Sequence, residues 1–435
     1  MLQALKRLPD THLQYTLLRY CFDSCRINHL LRATQFAHAE AGAKVASRLL
    51  RNALDNILGP SPMTDNQWMQ ATLPIRCGGL GISDPVRVHA LARIACIVDF
   101  SQRATVTLGL PAGACEVSND CRTVLLALQP HVPPLPELIA LCLTETIPLG
   151  ALIALDRPQE YWTTQATKTW VQSQSTLGTA RDRVRFEAQQ SPHSGSWLAA
   201  LPSAANKTRV PSEHWRLLLR WTLGMPVVPD EVIGAPCVRC DQPVDAWGDH
   251  SVSCIKNEIQ RRHMALQAAL AGLIQQAGLT CALERGTGDG RRPADVFIPR
   301  WDADGPTAVD LTVRCPSAPG NPVRDPAALD KWRVSQEREK TTMYEETCMR
   351  ARWAFVPLLM DTHGGMGSEA KRFLSQLLPK LLACNFGRTR RTLEAEFWKK
   401  LTFPVMAVIG RQLYSLKLSA PVDRMATGVH NPYSS

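Results

Sequence analysis

The chain has 435 residues, 45% of them hydrophobic, and a mean hydropathy of −0.13, which is typical of a globular protein of about two to four domains and excludes a disordered chain. Its 49 basic residues outnumber its 39 acidic ones, and the resulting charge of +10 favours an anionic partner such as nucleic acid. The sequence has neither an apolar run of the roughly 18 to 20 residues that span a bilayer nor a signal peptide, so we expect an intracellular protein without a membrane partner.

The amino-terminal half is predicted to be mainly helical. Apolar residues recur at helical spacing before Gly59, which predicts two or three helices, and another helix is expected at about 84–103. The glycine-rich segment 73–82 lies between them, and it lacks the Lys-Ser/Thr of a phosphate-binding loop. Its glycines are therefore expected to form tight turns. We assign 1–103 to one helical region and 104–196 to helical pieces around a proline-rich linker.

Residues 197–256 are predicted to contain a Trp/Arg helix followed by a metal-binding segment. Tryptophans and arginines alternate between Trp197 and Trp221. This pattern has two interpretations: stacking on single-stranded nucleic acid, or an amphipathic helix with its tryptophans in a core.

A zinc knuckle is predicted at residues 237–254. The 14 cysteines are dispersed over a long chain, which does not suit a disulfide scaffold. Cys237-x2-Cys240-x9-His250-x3-Cys254, however, supplies the four N/S ligands of a closed, structural zinc site. Gly248 provides backbone freedom there, and Asp249 is a candidate to orient a ligand. The alternative is four separately buried side chains.

Basic residues around this knuckle are predicted to contact a phosphate backbone. Two further arginines precede the strand that carries Asp295. The predicted nucleic-acid-binding residues are Arg239, Lys256, Arg261, Arg262, Arg291 and Arg292.

An α/β domain is predicted at 257–390, and a helix with a tail at 391–435. A long helix pattern covers 257–277, followed by a short strand at 279–283, next to Glu284. After a glycine turn come the two strands that carry Asp295 and Asp310. A helix at about 327–350, a strand at 353–360 and another helix complete the order.

Asp295 and Asp310 are predicted to form a divalent-metal site. Each aspartate borders a β-branched apolar run, so pairing the two strands brings the carboxylates together. Hard oxygen ligands suit Mg²⁺, which binds one or two protein carboxylates and keeps sites for water and phosphate oxygens. The alternative is that both aspartates are turn residues or helix caps.

A nuclease site also needs a cation to stabilise the charge that develops on the phosphate. Lys340 is the candidate, and Tyr344, one helical turn later, lies on the same face. In the alternative reading Lys340 is an exposed charge, Tyr344 a half-buried aromatic and Glu284 a surface strand residue. In the same alternative reading, His263 is a helix residue with a solvent or backbone partner.

Several motifs between residues 237 and 344 resemble one family when taken together. The motifs are Cys237-x2-Cys240, Gly248-Asp249-His250, Cys254, Arg262-His263, Arg292-Pro293-Ala294-Asp295-Val296, Asp310-Leu311-Thr312-Val313 and Lys340-x3-Tyr344. They resemble the carboxyl-terminal region of non-LTR retrotransposon reverse transcriptase proteins, which carry a zinc knuckle before a restriction-like endonuclease of the PD-(D/E)xK superfamily. Residues 1–100 are similar, more weakly, to the segment that follows the polymerase in such proteins.

The resemblance implies roles for five residues. Asp295 and Asp310 would be the metal-binding acids, Glu284 a third acid, Lys340 the displaced catalytic lysine and Tyr344 the aromatic beside it. The expected fold is therefore multi-domain, with a helical amino-terminal half, a small zinc knuckle and a restriction-endonuclease-like α/β domain. The sequence lacks the Tyr/Phe-x-Asp-Asp polymerase motif, so no polymerase activity is expected.

The expected function is Mg²⁺-dependent nicking of target DNA in the nucleus, with the element's RNA as a second candidate partner. In such proteins the cut leaves a 3′ end that primes reverse transcription. Two alternatives stay open: a zinc-knuckle protein that binds nucleic acid without cutting it, and a structural fragment that folds poorly alone.

Overall fold

The computed structural model describes residues 2–109, 119–128, 130–131, 158–288, 290–302, 305–320, 322–385 and 387–417. The chain divides into two compact units, Met1–Leu177 and Gly178–Ser435. This boundary falls inside the segment 104–196 that we predicted as a linker region. Most of its proline-rich part, 132–136, and the predicted tail 418–435 lie outside the described residues. Within the described residues, no helix is both long and apolar enough to cross a membrane.

The described part of the first unit is helical, as predicted. Its helices are α1 (Leu2–Leu5), α2 (Thr11–Leu17), α3 (Asn28–Ala33), α4 (Phe36–Leu58), α5 (Asp65–Ala71), α6 (Pro85–Leu108), α7 (Asn119–Leu128) and α8 (Pro158–Ser175). Helix α6 packs against α3, α4, α7 and α8. Buried Leu91, Ile94 and Val98 of α6 form a core with Val124 of α7 and Trp162 of α8.

The glycine-rich segment of this unit serves backbone turns, which confirms the prediction. Gly78 and Gly81 have φ angles of +78° and +71°. A Cβ on Gly79 would lie 2.0 Å from the carbonyl oxygen of Leu73, a distance that no side chain permits. Only glycine fits these turns.

The second unit begins with helices that bury the tryptophans. Its first helices are α9 (Ala180–Gln189), α10 (Ser212–Thr222), α11 (Asp249–Ser253) and α12 (Ile259–Gln276). Trp197, Trp215 and Trp221 are all at most 2% exposed. The core interpretation of the Trp/Arg pattern is therefore confirmed, and the interpretation as a stacking surface for nucleic acid is wrong.

A four-stranded mixed sheet follows α12. Its strands are β1 (Ala282–Arg285), β2 (Ala294–Asp302), β3 (Gly305–Arg314) and β4 (Ala354–Asp361), in the spatial order β1-β2-β3-β4. The first three strands are antiparallel, whereas β3 and β4 are parallel and are joined through α13 (Leu329–Arg350). Two further helices are α14 (Ser368–Ala383) and α15 (Arg390–Lys417). The order of elements matches the prediction for 257–390.

A buried polar network fixes α13 against the end of β4. The guanidinium of Arg333 donates to Asp361 at 3.0 Å. Glu337, one turn later, accepts hydrogen bonds from the hydroxyl of Ser368 at 2.9 Å and from the backbone N–H of Ala370 at 3.2 Å. Glu337 therefore caps the start of α14, and the carboxylate suits the positive end of that helix. The next turn of α13 carries Lys340, so this network positions the lysine.

Helix α15 packs against α10 and α12 within the same unit. The carbonyl oxygen of Gln412 accepts hydrogen bonds from Ser251 Oγ at 2.6 Å and Asn257 Nδ2 at 3.3 Å. This helix, predicted as a separate carboxyl-terminal element, thus joins the knuckle segment to α12.

Candidate metal centres

Four potential ligand side chains converge in the predicted zinc knuckle, Cys237–Cys254. The ligand atoms of Cys237, Cys240, His250 and Cys254 all lie within 4.8 Å of one another. Sγ of Cys240 lies 3.4 Å from Nε2 of His250 and 3.5 Å from Sγ of Cys254. Tetrahedral zinc with bonds of roughly 2.0–2.3 Å separates its ligand atoms by roughly 3.5–3.8 Å. The arrangement is close to this, so the cluster can bind a metal such as zinc.

Asp245 and Gly248 fix the backbone that carries His250. The carboxylate of Asp245 accepts hydrogen bonds from the backbone N–H groups of Asp249 at 3.1 Å and His250 at 2.6 Å. Gly248 has a φ of +79°, and a Cβ there would lie 2.5 Å from a methyl of Leu413. The sequence suggested Asp249 as the carboxylate that orients a ligand, whereas in the structure Asp245 holds the backbone of His250 and Asp249 pairs with Arg181.

Asp249 has a different partner. Its carboxylate accepts two hydrogen bonds from the guanidinium of Arg181, of which the Nη2–Oδ1 bond is 2.8 Å. This bidentate pair connects α9 to α11 and so holds the knuckle against the rest of the second unit.

The pKa shifts of His250 and Cys240 favour the forms that bind zinc, whereas burial raises the pKa of the Cys254 thiol to about 11. Burial lowers the pKa of His250, which favours the neutral imidazole. A backbone hydrogen bond at Gln242 lowers the pKa of the Cys240 thiol. Zinc binds neutral histidine and thiolate, so both shifts reduce the proton release that binding requires.

Of the six predicted nucleic-acid-binding residues, five have side chains that reach the surface and one, Arg262, is buried. Lys256 and Arg261 are exposed, and Arg239 donates from Nη1 to the carbonyl oxygen of Lys256 at 3.0 Å. Arg291 and Arg292 are also exposed, and Arg291 donates to Thr347 of α13 at 3.1 Å.

Arg262, unlike these residues, is buried. Its side chain is only 2% exposed and donates to the carbonyl oxygens of Val252 at 2.7 Å and Val313 at 3.0 Å. The prediction that Arg262 contacts phosphate is wrong, because its guanidinium is used to join the knuckle, α12 and β3. The adjacent Arg261 points to solvent.

Three carboxylates lie level across β1, β2 and β3. Leu283 pairs with Val296 and Arg285 with Ala294, which sets Glu284 opposite Asp295. Val296 pairs with Val309, and the same register carried one residue further sets Asp295 level with Asp310. Residues opposite each other on adjacent strands have side chains on the same face. The predicted acids Glu284, Asp295 and Asp310 thus share one face of the sheet.

Helix α12 lies over this row of acids. Nε2 of His263 lies 3.4 Å from Oδ1 of Asp295. Gln267, one turn later, donates from Nε2 to Oε1 of Glu284 at 2.6 Å and to the carbonyl oxygen of Asp295 at 2.9 Å. The ligand atoms of His263, Glu284 and Asp295 all lie within 4.8 Å of one another. This set can bind a divalent cation.

Asp310 is buried and is paired with Lys340 of α13. Nζ of Lys340 lies 3.1 Å from Oδ2 of Asp310. Burial raises the pKa of Asp310 to about 6; the lysine lowers it and the carboxylate of Asp295 raises it. The hydrogen bond to Asp295 raises the pKa of His263. Each base in the site is thus paired with an acid.

Tyr344 lies beside the lysine, as the spacing predicts. Nζ of Lys340 is 5.6 Å from the centre of the Tyr344 ring, and this ring lies 6.0 Å from the ring of Phe355 on β4. The ring of Tyr344 therefore lies beside both the ammonium of Lys340 and the ring of Phe355. We name the group His263, Glu284, Asp295, Asp310 and Lys340 the sheet site.

His263 lies in a matched sequence motif but was assigned no role there, and the sequence did not single out Gln267 or Asp245. His263 and Gln267 are four residues apart on α12, so they share a face, and that spacing was the available signal. No protein-family model and no curated protein sequence matches this chain.

Proposed function

We propose that this protein is a metal-dependent DNA endonuclease that nicks DNA at the sheet site. One observation carries the proposal: Glu284, Asp295 and Asp310 lie level on three adjacent strands, with Lys340 3.1 Å from Asp310. Like charges on facing strand positions destabilise a sheet unless a cation offsets them. Such a row therefore supports a site for a divalent ion.

The reaction would be hydrolysis of a phosphodiester. The oxygen of water bonds to phosphorus as the bond from phosphorus to O3′ breaks, leaving a 5′-phosphate and a 3′-hydroxyl. A divalent cation bound by Asp295 and Glu284 would polarise this water and offset charge on the phosphate. The sequence prediction adds Asp310 to the ligands and names Mg²⁺ as the ion.

Lys340 would stabilise the negative charge that develops on the phosphate oxygens. Its ammonium is already held at the site by Asp310, and Glu337 anchors the preceding turn of the same helix. A preorganised donor needs little reorganisation during the reaction, which is the source of its effect on rate. Tyr344 would limit the freedom of the lysine through its ring.

The zinc knuckle would position the DNA. It would fold the segment 237–254 and present Arg239, Lys256 and Arg261, while Arg291 and Arg292 lie close in sequence to Asp295. Contacts of this kind recognise the phosphate backbone without reading the bases. The charge of +10 supports an anionic partner.

We further propose that the second unit is a restriction-like endonuclease region derived from a non-LTR retrotransposon protein and acts on nuclear DNA. Support comes from the order of the elements, a knuckle, a helix, three antiparallel strands, a crossover helix and a parallel strand. Asp295, Asp310 and Lys340 occupy neighbouring positions in this arrangement, as the resemblance implies.

The direct test is incubation of the zinc-loaded protein with supercoiled plasmid and Mg²⁺ or Mn²⁺. We expect conversion to the nicked circle with each ion that the site accepts, and no conversion when EDTA is present. Products with 3′-hydroxyl ends should be extended by a DNA polymerase. Intact plasmid with both ions would contradict the proposal.

A second candidate is a protein that binds nucleic acid without cutting it. The observation that favours it is the ion pair between Asp310 and Lys340, which leaves both groups satisfied without a metal ion. This candidate predicts salt-dependent DNA binding by a protein that takes up no divalent ion at the sheet site.

A further inference from the structure

We propose that His263 is a metal ligand together with Glu284 and Asp295. The sheet site therefore prefers a divalent transition-metal ion over Mg²⁺, and Mn²⁺ is the probe for this preference. This inference rests on the proposed function for the use of the ion, but it can be tested by binding alone. It differs from the Mg²⁺ expected from the sequence, because an imidazole joins the two carboxylates.

The geometry allows one ion to reach all three side chains. Nε2 of His263 lies 3.4 Å from Oδ1 of Asp295, and the ligand atoms of the three residues lie within 4.8 Å of one another. Bonds of roughly 2.0–2.2 Å to nitrogen and oxygen place ligands up to roughly 4.4 Å apart around one ion. Only small movements of the side chains would be required.

Helix α12 holds the imidazole and both strands in one arrangement. Gln267, one turn after His263, donates to the carboxylate of Glu284 at 2.6 Å and to the backbone of Asp295 at 2.9 Å. Hydrogen bonds to ligating carboxylates fix their direction and are a common support of metal sites. The amide of Gln267 thus prevents Glu284 from turning away from the site.

The backbone at Glu284 has an unusual conformation. This residue has a φ of +52° inside strand β1, a left-handed conformation that is uncommon for a residue with a side chain. A strained backbone conformation persists only where the contacts of the surrounding structure hold it in place. Such conformations are concentrated at functional sites. The residue with this conformation, Glu284, is the one whose carboxylate lies opposite Asp295.

The donor set then decides which ions bind. Mg²⁺ prefers oxygen ligands and keeps its water, whereas imidazole suits zinc, copper, iron and nickel ions. Mn²⁺ accepts both carboxylate and imidazole, which makes it a suitable probe for one nitrogen and two oxygen ligands. Loss of the imidazole alone should weaken Mn²⁺ binding far more than Mg²⁺ binding.

The experiment is a titration of the full, zinc-loaded chain with Mn²⁺, in which the loss of the free-ion EPR signal reports binding and Mg²⁺ is added as a competitor. The variants are His263→Ala and His263→Gln, with Asp295→Asn to locate the site. The control is His38→Ala, which changes an exposed histidine of α4. Circular dichroism and zinc content verify that each variant is folded.

We expect both His263 variants to weaken Mn²⁺ binding by about tenfold or more and to lower the preference for Mn²⁺ over Mg²⁺, while His38→Ala changes neither. Equal losses of Mn²⁺ and Mg²⁺ affinity would show that His263 only positions the acids and would overturn the inference. So would wild-type protein that takes up no Mn²⁺. Selective Mn²⁺ binding without nicking would instead contradict only the proposed function.

Discussion

Lys340 meets Asp310 across the sheet site, with Nζ 3.1 Å from Oδ2, although thirty residues separate them. The lysine comes from the crossover helix α13, not from the strand that carries the aspartate. The parallel pairing of β3 with β4 returns the chain to the same end of the sheet. The crossover therefore supplies the cation that the strand itself lacks.

Replacing this lysine should impair the chemical step more than the binding of metal. For Lys340→Met we expect the nicking rate to fall by roughly 10²–10³-fold, because a preorganised donor to the phosphate is lost. Mn²⁺ affinity should change little. Plasmid nicking and EPR titration measure the two effects, and Lys331→Met, an exposed lysine of the same helix, is the control. Equal nicking by both variants would remove Lys340 from the mechanism.

The stability of the protein without added Mg²⁺ or Mn²⁺ should depend on the titration of Asp310. Burial raises the pKa of Asp310 to about 6 from an ordinary value of 3.8. The folded state therefore holds the proton more tightly, and this stabilisation is present at low pH and is lost as the pH rises through 6.

Asp310→Asn removes this dependence. Relative to wild type, the variant should gain about 1 kcal/mol in its free energy of unfolding between pH 5 and pH 7. Urea denaturation of both zinc-loaded proteins at several pH values measures the difference. A difference that stays constant over this window would show that Asp310 does not titrate there.

Zinc should stabilise the second unit through the knuckle. Cys240→Ser should lower the bound zinc from about one ion per chain toward zero and lower the melting temperature, since structural zinc contributes directly to folding. EDTA should reproduce the lower melting temperature in wild type. The control is Cys384→Ser, which changes an exposed cysteine outside the knuckle. Unchanged zinc content in Cys240→Ser would exclude the site, and a low melting temperature even with zinc would favour the structural-fragment alternative.

Two adjacent arginines should behave in opposite ways. Arg262→Ala leaves two buried carbonyl oxygens without donors and should cost about 2–4 kcal/mol of stability. Arg261→Ala should leave the stability nearly unchanged but reduce the salt dependence of DNA binding by about one phosphate contact. Urea denaturation and binding at several salt concentrations separate the two effects. A loss of stability in Arg261→Ala but not in Arg262→Ala would contradict the burial of Arg262.

The sequence predicted those features that follow from local pattern. The spacing of Cys237, Cys240, His250 and Cys254 was enough to predict their convergence. The loops between these residues are short, so the four side chains must lie close together. Alternating and helical hydrophobic patterns likewise predicted the elements of the second unit in the right order. The pairing of Lys340 with Tyr344 followed from the helical period.

Features that depend on packing between distant segments could not be predicted. Arg262 and Arg261 look alike in sequence, and only the contacts with Val252 and Val313 make one of them a structural residue. His263 gave no local sign that its helix lies over the row of acids. The ion pair of Lys340 with Asp310 also depends on the tertiary structure.

The most direct test of the nuclease site is plasmid nicking by Asp295→Asn, measured beside wild type with Mn²⁺ and with Mg²⁺. Asp325→Asn is the matched control, because that aspartate caps a short helix before α13. We expect Asp295→Asn to lose nicking by at least about 10²-fold while it still binds DNA and zinc, and Asp325→Asn to nick like wild type. Undiminished nicking by Asp295→Asn would contradict the assignment of the sheet site.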